Sequence, residues 1–314
     1  MDEDYATADN VTRSRGRRHD VPLLYKYATP DAARAILVGR TLRWSSPQLF
    51  NDPFDVRRDL ELPFTNQDLL EAMLDRYRAY LRGKGEPGNE IARTLLAGFR
   101  LARKRAPVET LMADLRETMS LFMTAPLELA RKQFRDIWTE RVPGMRILCF
   151  STDATSPSMW AHYAANLAGV VFGFESSDER DSPWLLAQPV RYLNRRPSLP
   201  GADEWARALL GENQIGWERY LSEYYFVKST HWSYENEYRV PSDRRKLESG
   251  LFSDYAFFEE DLREVILGPR ADRDLELDTR DAVSLWYPNA RVRRAQLDDL
   301  SRLVVADDVA EGAT

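Results

Sequence analysis

The apolar segments of this chain are short, and strand-like and helix-like stretches follow one another in irregular order. No regular βαβ succession can be laid over them, so a doubly wound parallel sheet is disfavoured. The pattern predicts an α+β fold: a mixed or largely antiparallel central sheet, flanking helices and a helical insertion. No Gly-x-Gly-x-x-Gly follows a strand-like run, and there is no Gly-x4-Gly-Lys-Ser/Thr loop. A Rossmann dehydrogenase and a P-loop NTPase therefore lose their phosphate-binding elements. A Gly-x-Ser-x-Gly elbow is also missing, which removes an α/β-hydrolase triad.

Residues 23–27 (LLYKY) read as a strand. Thr29 then caps a helix with Pro30 in its first position, and Gly39 stops it. Residues 41–46 return as a strand, and Asn51-Asp52-Pro53 marks the following loop. Residues 66–138 change character: Leu69, Leu70, Met73 and Leu74 share a helical face, as do Leu95, Leu96 and Phe99. They predict about three helices inserted into the sheet domain, either as a packing subdomain or as a lid. Strands are expected again at 146–151, 169–174, 189–192, 238–240, 265–267 and 291–297. Helices are expected at 157–165, 202–211, 215–227 and 279–286. One domain over residues 21–297 results, between a disordered basic tail (1–20) and an acidic, fraying one (298–314).

Formal net charge is -6, so the whole chain carries no basic footprint for nucleic acid. The single cysteine, Cys149, lies in the apolar run 147–150 and reads as a buried strand residue; it excludes an intramolecular disulfide. No apolar run reaches the ~20 residues of a membrane span. Residues 1–20 hold Arg13, Arg15, Arg17 and Arg18 without an apolar stretch, unlike a secretory signal. The chain reads as cytoplasmic, with no membrane partner.

Four segments gather polar and aromatic residues that no packing pattern explains. They are Tyr25-Lys26-Tyr27; Trp44-Ser45-Ser46 with residues 51–55 (NDPFD); Ser151 with Met159-Trp160-Ala161-His162-Tyr163; and Lys228 with residues 232–239 (WSYENEYR). In Glu235-Asn236-Glu237, an extended backbone would aim both carboxylates at one face. Like charges so placed need a cation, a hydrogen-bond network or a substrate. The plainer reading pairs Glu237 with Arg239 on a solvated strand, makes Asp52 a turn cap, and buries the tryptophans.

These segments, with residues 147–151 (ILCFS), 159–174 and 265–269 (VILGP), resemble the uncharacterised bacterial domain-of-unknown-function family 2971. Members commonly carry Glu where this chain has Asp55. That resemblance implies a fold group without an activity. A narrower resemblance, in the Glu-x-Glu element alone, is to ADP-ribosyltransferases. It implies NAD as substrate, with Glu237 as the main catalytic residue and Glu235 as its helper. Tyr25, Lys26, Ser45, Asn51, Asp52, Ser151, Trp160, His162 and Tyr163 are then the candidate dinucleotide contacts. The enzyme is then either a transferase, with a protein, a nucleic acid or a small molecule as acceptor, or an NAD glycohydrolase, in a setting such as phage defence or stress response. Two other classes stay open. One is a hydrolase using Mg²⁺ held by Asp52, Asp55, Glu235 and Glu237, although no metal is the primary expectation. The other is a non-enzymatic sensor or interaction module.

Overall fold

The computed structural model describes residues 16–56, 62–195, 199–216, 220, 224–300 and 302–306. Strands in chain order are β1 (Leu23–Ala28), β2 (Thr41–Ser45), β3 (Met145–Ser151), β4 (Val170–Glu175), β5 (Gln188–Pro189) and β6 (Arg191–Tyr192). They continue as β7 (Val227–Lys228), β8 (Glu237–Asp243), β9 (Phe252–Ala256), β10 (Leu262–Leu267), β11 (Arg291–Leu297) and β12 (Leu303–Ala306). The helices are α1 (Pro30–Gly39), α2 (Asn66–Leu81), α3 (Glu90–Ala102), α4 (Val108–Arg141), α5 (Pro157–Tyr163), α6 (Ala202–Leu209) and α7 (Arg273–Trp286). The fold is α+β.

The chain divides into two compact units. The first takes described residues up to 55, then 143–195, then 225 onward. Its sheet runs β12-β11-β10-β4-β1-β3-β2-β9, with β8 along β3 and β5 along β8. It is mixed and mostly antiparallel; β10 and β11 pair in parallel. On one face, Leu24, Leu148, Phe172, Phe174 and Val240 pack with Ala33 and Leu37 of α1 and with Leu275, Ala282 and Val283 of α7. On the other, Tyr27, Val171 and Ile266 pack with Met159 and Trp160 of α5. Alternation along each strand produces this division, because successive side chains point to opposite faces.

Local chemistry sets the helix ends. Thr29 and Ser156 accept from the backbone N–H three residues on, and each is followed by proline. Helix α5 stops at Tyr163, earlier than the sequence pattern suggests, because Ala165, Asn166 and Leu167 all adopt positive φ. The loop they form tucks under β1: a Cβ on Gly169 would lie 2.1 Å from the Ala28 carbonyl oxygen.

The second unit comprises described residues of 56–142 and 196–224. Helices α2, α3, α4 and α6 share a core that includes Leu69, Leu70, Met73, Leu74, Leu96, Leu115, Ala206 and Leu210. Thr65 and Asp68 form a reciprocal capping box at the start of α2. The helical segment thus has its own core, and it recruits α6 from a later stretch that the 66–138 reading leaves out.

Several boundaries differ from expectation. Residues 17–19 are tied down: Arg17 pairs with Asp178 at 2.6 Å, and the His19 ring meets the Trp184 carbonyl at 2.8 Å. The expected disordered tail is otherwise residues 1–15, outside the described residues. Residues 303–306, read as fraying, add strand β12 to β11; residues 307–314 lie outside the described residues. Helix α7 starts at Arg273 because Asp272 caps it through the Leu275 N–H. Strand β9 is missing from the sequence reading, and most of the helix read at 215–227 lies outside the described residues. Among the described residues no helix is long and apolar enough to cross a membrane.

Candidate functional site

The site grows out of a junction in the sheet. Strand β3 is paired with β8 along its whole length, Met145 opposite Asp243 through Ser151 opposite Glu237. Its other edge is shared. β1 meets it at Tyr25 opposite Ser151, and β2 meets it at Ser45 opposite Ile147. Between these contacts the neighbours part at Cys149, and the Lys26 ammonium enters the gap and donates to the Cys149 carbonyl at 3.0 Å. A cavity of about 180 Å³ opens over this junction.

Its walls are the polar face of the strands. Tyr25, Ser151 and Glu237 stand in one cross-strand row, with Cys149 and Arg239 in the next on the same face. The row extends the other way to Gly173 on β4 and Glu264 on β10. Gly173 leaves room for the Tyr25 ring: a Cβ there would lie 2.7 Å from the Glu264 Cγ and 3.1 Å from the Tyr25 Cε1. Gly173→Ala should displace Tyr25 and cost about 1–3 kcal/mol as overpacking. Urea unfolding followed by circular dichroism checks this; an unchanged midpoint rejects it.

Beneath the cavity lies a buried charge network. Arg239 clasps Asp55 with both terminal nitrogens, at 2.9 and 2.6 Å, and Glu237 through Nε at 2.7 Å and Nη2 at 2.9 Å. It also donates to the Tyr225 carbonyl at 2.8 Å. The Lys228 ammonium reaches Glu235 at 2.5 Å, Glu237 at 3.3 Å and Asp55 at 3.8 Å. Asp55 and Arg239 are fully buried, and Glu235, Glu237 and Lys228 nearly so. Three carboxylates therefore face two cations. Tyr163 donates to the second oxygen of Glu235 at 2.7 Å, and the Tyr192 hydroxyl accepts from the Glu237 N–H at 2.8 Å. Trp232 covers Lys228, its ring 4.7 Å from the ammonium.

The two glutamates part in their proton affinity. Burial alone would raise the Glu237 carboxyl, but Arg239 and Lys228 outweigh it and hold the group well below the ordinary carboxylate range. Glu235 goes the other way: burial first, then the negative charge of Glu237, push it up, and Lys228 and Tyr163 only partly offset this. Lys228 is raised despite burial, because Glu237 and Glu235 stabilise its charge. Burial pushes the Cys149 thiol up, leaving it protonated and unreactive.

The structure gathers Tyr25, Lys26, Ser45, Asn51, Ser151, Tyr163, Glu235 and Glu237 around this one cavity. Three other candidates stand elsewhere. Trp160 is fully buried and donates from its indole nitrogen to the Ala154 carbonyl at 2.8 Å, so it cannot stack on a ligand. Asp52 is spent as a turn cap on the Phe54 N–H at 2.8 Å. His162 is exposed and holds the Tyr234 hydroxyl at 2.9 Å. The Glu-x-Glu segment is also not extended. Glu235 closes a short 3-10 turn (Thr230–Glu235), and Asn236 takes φ 44° before β8 begins. The carboxylates converge through that left-handed residue and not through strand alternation.

Asp55, Lys228 and Arg239 join the site as a charge network and not as dinucleotide contacts; the pairing of Glu237 with Arg239 is the plainer sequence reading, on a buried and not a solvated strand face. Their signal was local and weak: a Glu-x-Arg alternation on a strand and a lysine before an aromatic run. The pairing of Arg239 with Asp55 spans 184 residues and is visible only in the fold. Among the described residues no group of three or more His, Cys, Asp or Glu is placed to hold a metal. Asp55, Glu235 and Glu237 are bound instead to Lys228 and Arg239, and Asp52 serves its turn.

The stretch that carries most of this network can be set against known families. Residues 159–240 match the model of DUF2971, a protein family of unknown function. The DUF2971 match holds α5 from Met159 on, β4, Lys228, Glu235, Glu237 and Arg239, while Tyr25, Lys26, Ser45 and Asp55 come from outside it. No curated protein and no solved structure matches the chain.

Proposed function

We propose that this cavity binds NAD by its nicotinamide-ribose end and cleaves the bond between them, in the manner of an ADP-ribosyltransferase. The observation that carries the reading is the pairing of two inequivalent glutamates at one cavity. Glu237 is held ionised and Glu235 has a raised proton affinity. Groups whose environments push their proton affinities apart suit separate roles as electrostatic stabiliser and proton acceptor. As the glycosidic bond breaks, its electron pair leaves with nicotinamide and positive charge develops on the ribose. A fixed carboxylate at Glu237 lowers the energy of that charge. Glu235 takes the proton of the attacking hydroxyl, and the new bond forms at the anomeric carbon.

Tyr25, Tyr163 and Phe50 supply aromatic walls for the nicotinamide ring, with the ionised Glu237 in the same lining. The cavity volume of about 180 Å³ is smaller than a typical pocket for a whole ligand. It suits the ring and sugar end of the dinucleotide, with the remainder lying outside. The acceptor is a protein, a nucleic acid or water.

The test is incubation of the full chain with NAD and chromatography for nicotinamide, alone and with a bacterial lysate as acceptor source. Release above the buffer rate is expected. No release under either condition rejects the reading.

A further inference from the structure

A second cleft, of about 630 Å³, opens on the sheet beside β10 and β11 and is lined by Leu23, Arg263, Glu264, Arg291 and Arg293 with Asn289. Its lining sets three guanidinium groups against one carboxylate, on a chain whose formal net charge is -6. We infer that this cleft is an anion site that takes the diphosphate group of a small ligand of the nucleoside-diphosphate class.

The three arginines are held in place differently. Arg293 donates to Glu264 at 2.9 Å and to the Val305 carbonyl at 3.2 Å. Arg263 donates to Glu175 from Nε at 2.9 Å and Nη2 at 2.5 Å, which uses two of its five N–H groups. Both are thereby fixed on rigid strands. Arg291, opposite Glu264 in the register of β10 and β11, is exposed and pairs with no carboxylate among the described residues. Guanidinium forks match phosphate oxygens two at a time, and three of them around one cleft suit an anion of more than one charge. The volume lies within the range of small-molecule sites, larger than bare phosphate needs. Leu23 offers apolar contact for the rest of the ligand.

This is a site separate from the first. Glu264 and Glu237 lie four strands apart, through β10, β4, β1, β3 and β8. At about 4.8 Å per strand that is roughly 19 Å, too far for the diphosphate of a ligand whose sugar rests against Glu237. The two sites nonetheless border on Tyr25, which lines the first cavity and packs with Glu264 over Gly173.

Calorimetric titration of the full chain with inorganic pyrophosphate tests the inference. Saturable binding is expected for wild type, at least tenfold weaker for Arg291→Ala and undetectable for Arg291→Glu. Because Arg291 is an exposed side chain, thermal melts should show all three proteins equally folded. Glu237→Gln should bind pyrophosphate as wild type does. Absence of binding to wild type at millimolar pyrophosphate overturns the site, as does equal affinity in Arg291→Ala.

Discussion

Arg239→Met should lose about 3–5 kcal/mol of stability, the largest effect of any single substitution in the sheet unit. The guanidinium is fully buried and neutralises Asp55 and Glu237 together, at 2.6 and 2.7 Å. Methionine keeps most of the volume and leaves three buried carboxylates facing the single ammonium of Lys228. Coulomb repulsion between desolvated like charges then outweighs the gain from removing one desolvated cation. Urea unfolding at pH 7 reads the loss. Adding Asp55→Asn should restore part of it, since one uncompensated charge disappears. The dependence on pH has a definite sign. Glu237 is depressed in the folded state, so its contribution is present above the ordinary carboxylate value of about 4.3 and fades as pH falls through the folded value. In Arg239→Met that depression is lost, and protonation relieves the repulsion. The two stability curves should therefore approach one another on acidification. An equal urea midpoint for variant and wild type at pH 7 would show that the network is not held by Arg239.

What was legible in the sequence follows from how far apart the interacting residues are. The start of helix α1 at Thr29-Pro30 and the capped start of α5 at Ser156-Pro157 are written within a few residues, and both appear where expected, whereas the residue that stops α1 is Arg40, at φ 51°, and not Gly39. The irregular order of strands foretold the mixed sheet. The junction at Cys149 was not legible, because it depends on β1 and β2 meeting the same edge of β3 at different heights. Glu235 and Glu237 were recognisable as an unusual pair, but their convergence runs through the positive φ of Asn236, which a strand reading does not contain. Trp160 shows the reverse error. Its aromatic character suggested a stacking platform, while its position between Tyr27 and the Ala154 carbonyl makes it core. Arg17 reads as part of a free tail because its partner, Asp178, lies 161 residues away.

Glu237→Gln should lower the rate of nicotinamide release from NAD by about 10²–10³, the scale seen when a preorganised electrostatic group is removed from a developing charge. The same change should be tolerated by the fold. It removes the one carboxylate in excess, leaving Asp55 and Glu235 against Lys228 and Arg239, two charges of each sign. Gln also retains an acceptor oxygen for the Arg239 Nε–H. Glu235→Gln keeps the same balance, so the two variants differ in chemistry and not in net charge. If Glu235 is the proton acceptor, its loss should depress transfer to an acceptor hydroxyl while wild type falls off on acidification with a midpoint above the usual carboxylate range, as the raised group takes up its proton. Glu235→Gln should lack that acid limb. Glu237→Gln should keep a limb shifted toward lower pH, since the negative neighbour that raises Glu235 is gone. Parallel pH profiles in all three proteins would separate Glu235 from proton transfer. Full activity in Glu237→Gln would remove the carboxylate from the reaction and leave the network a structural device.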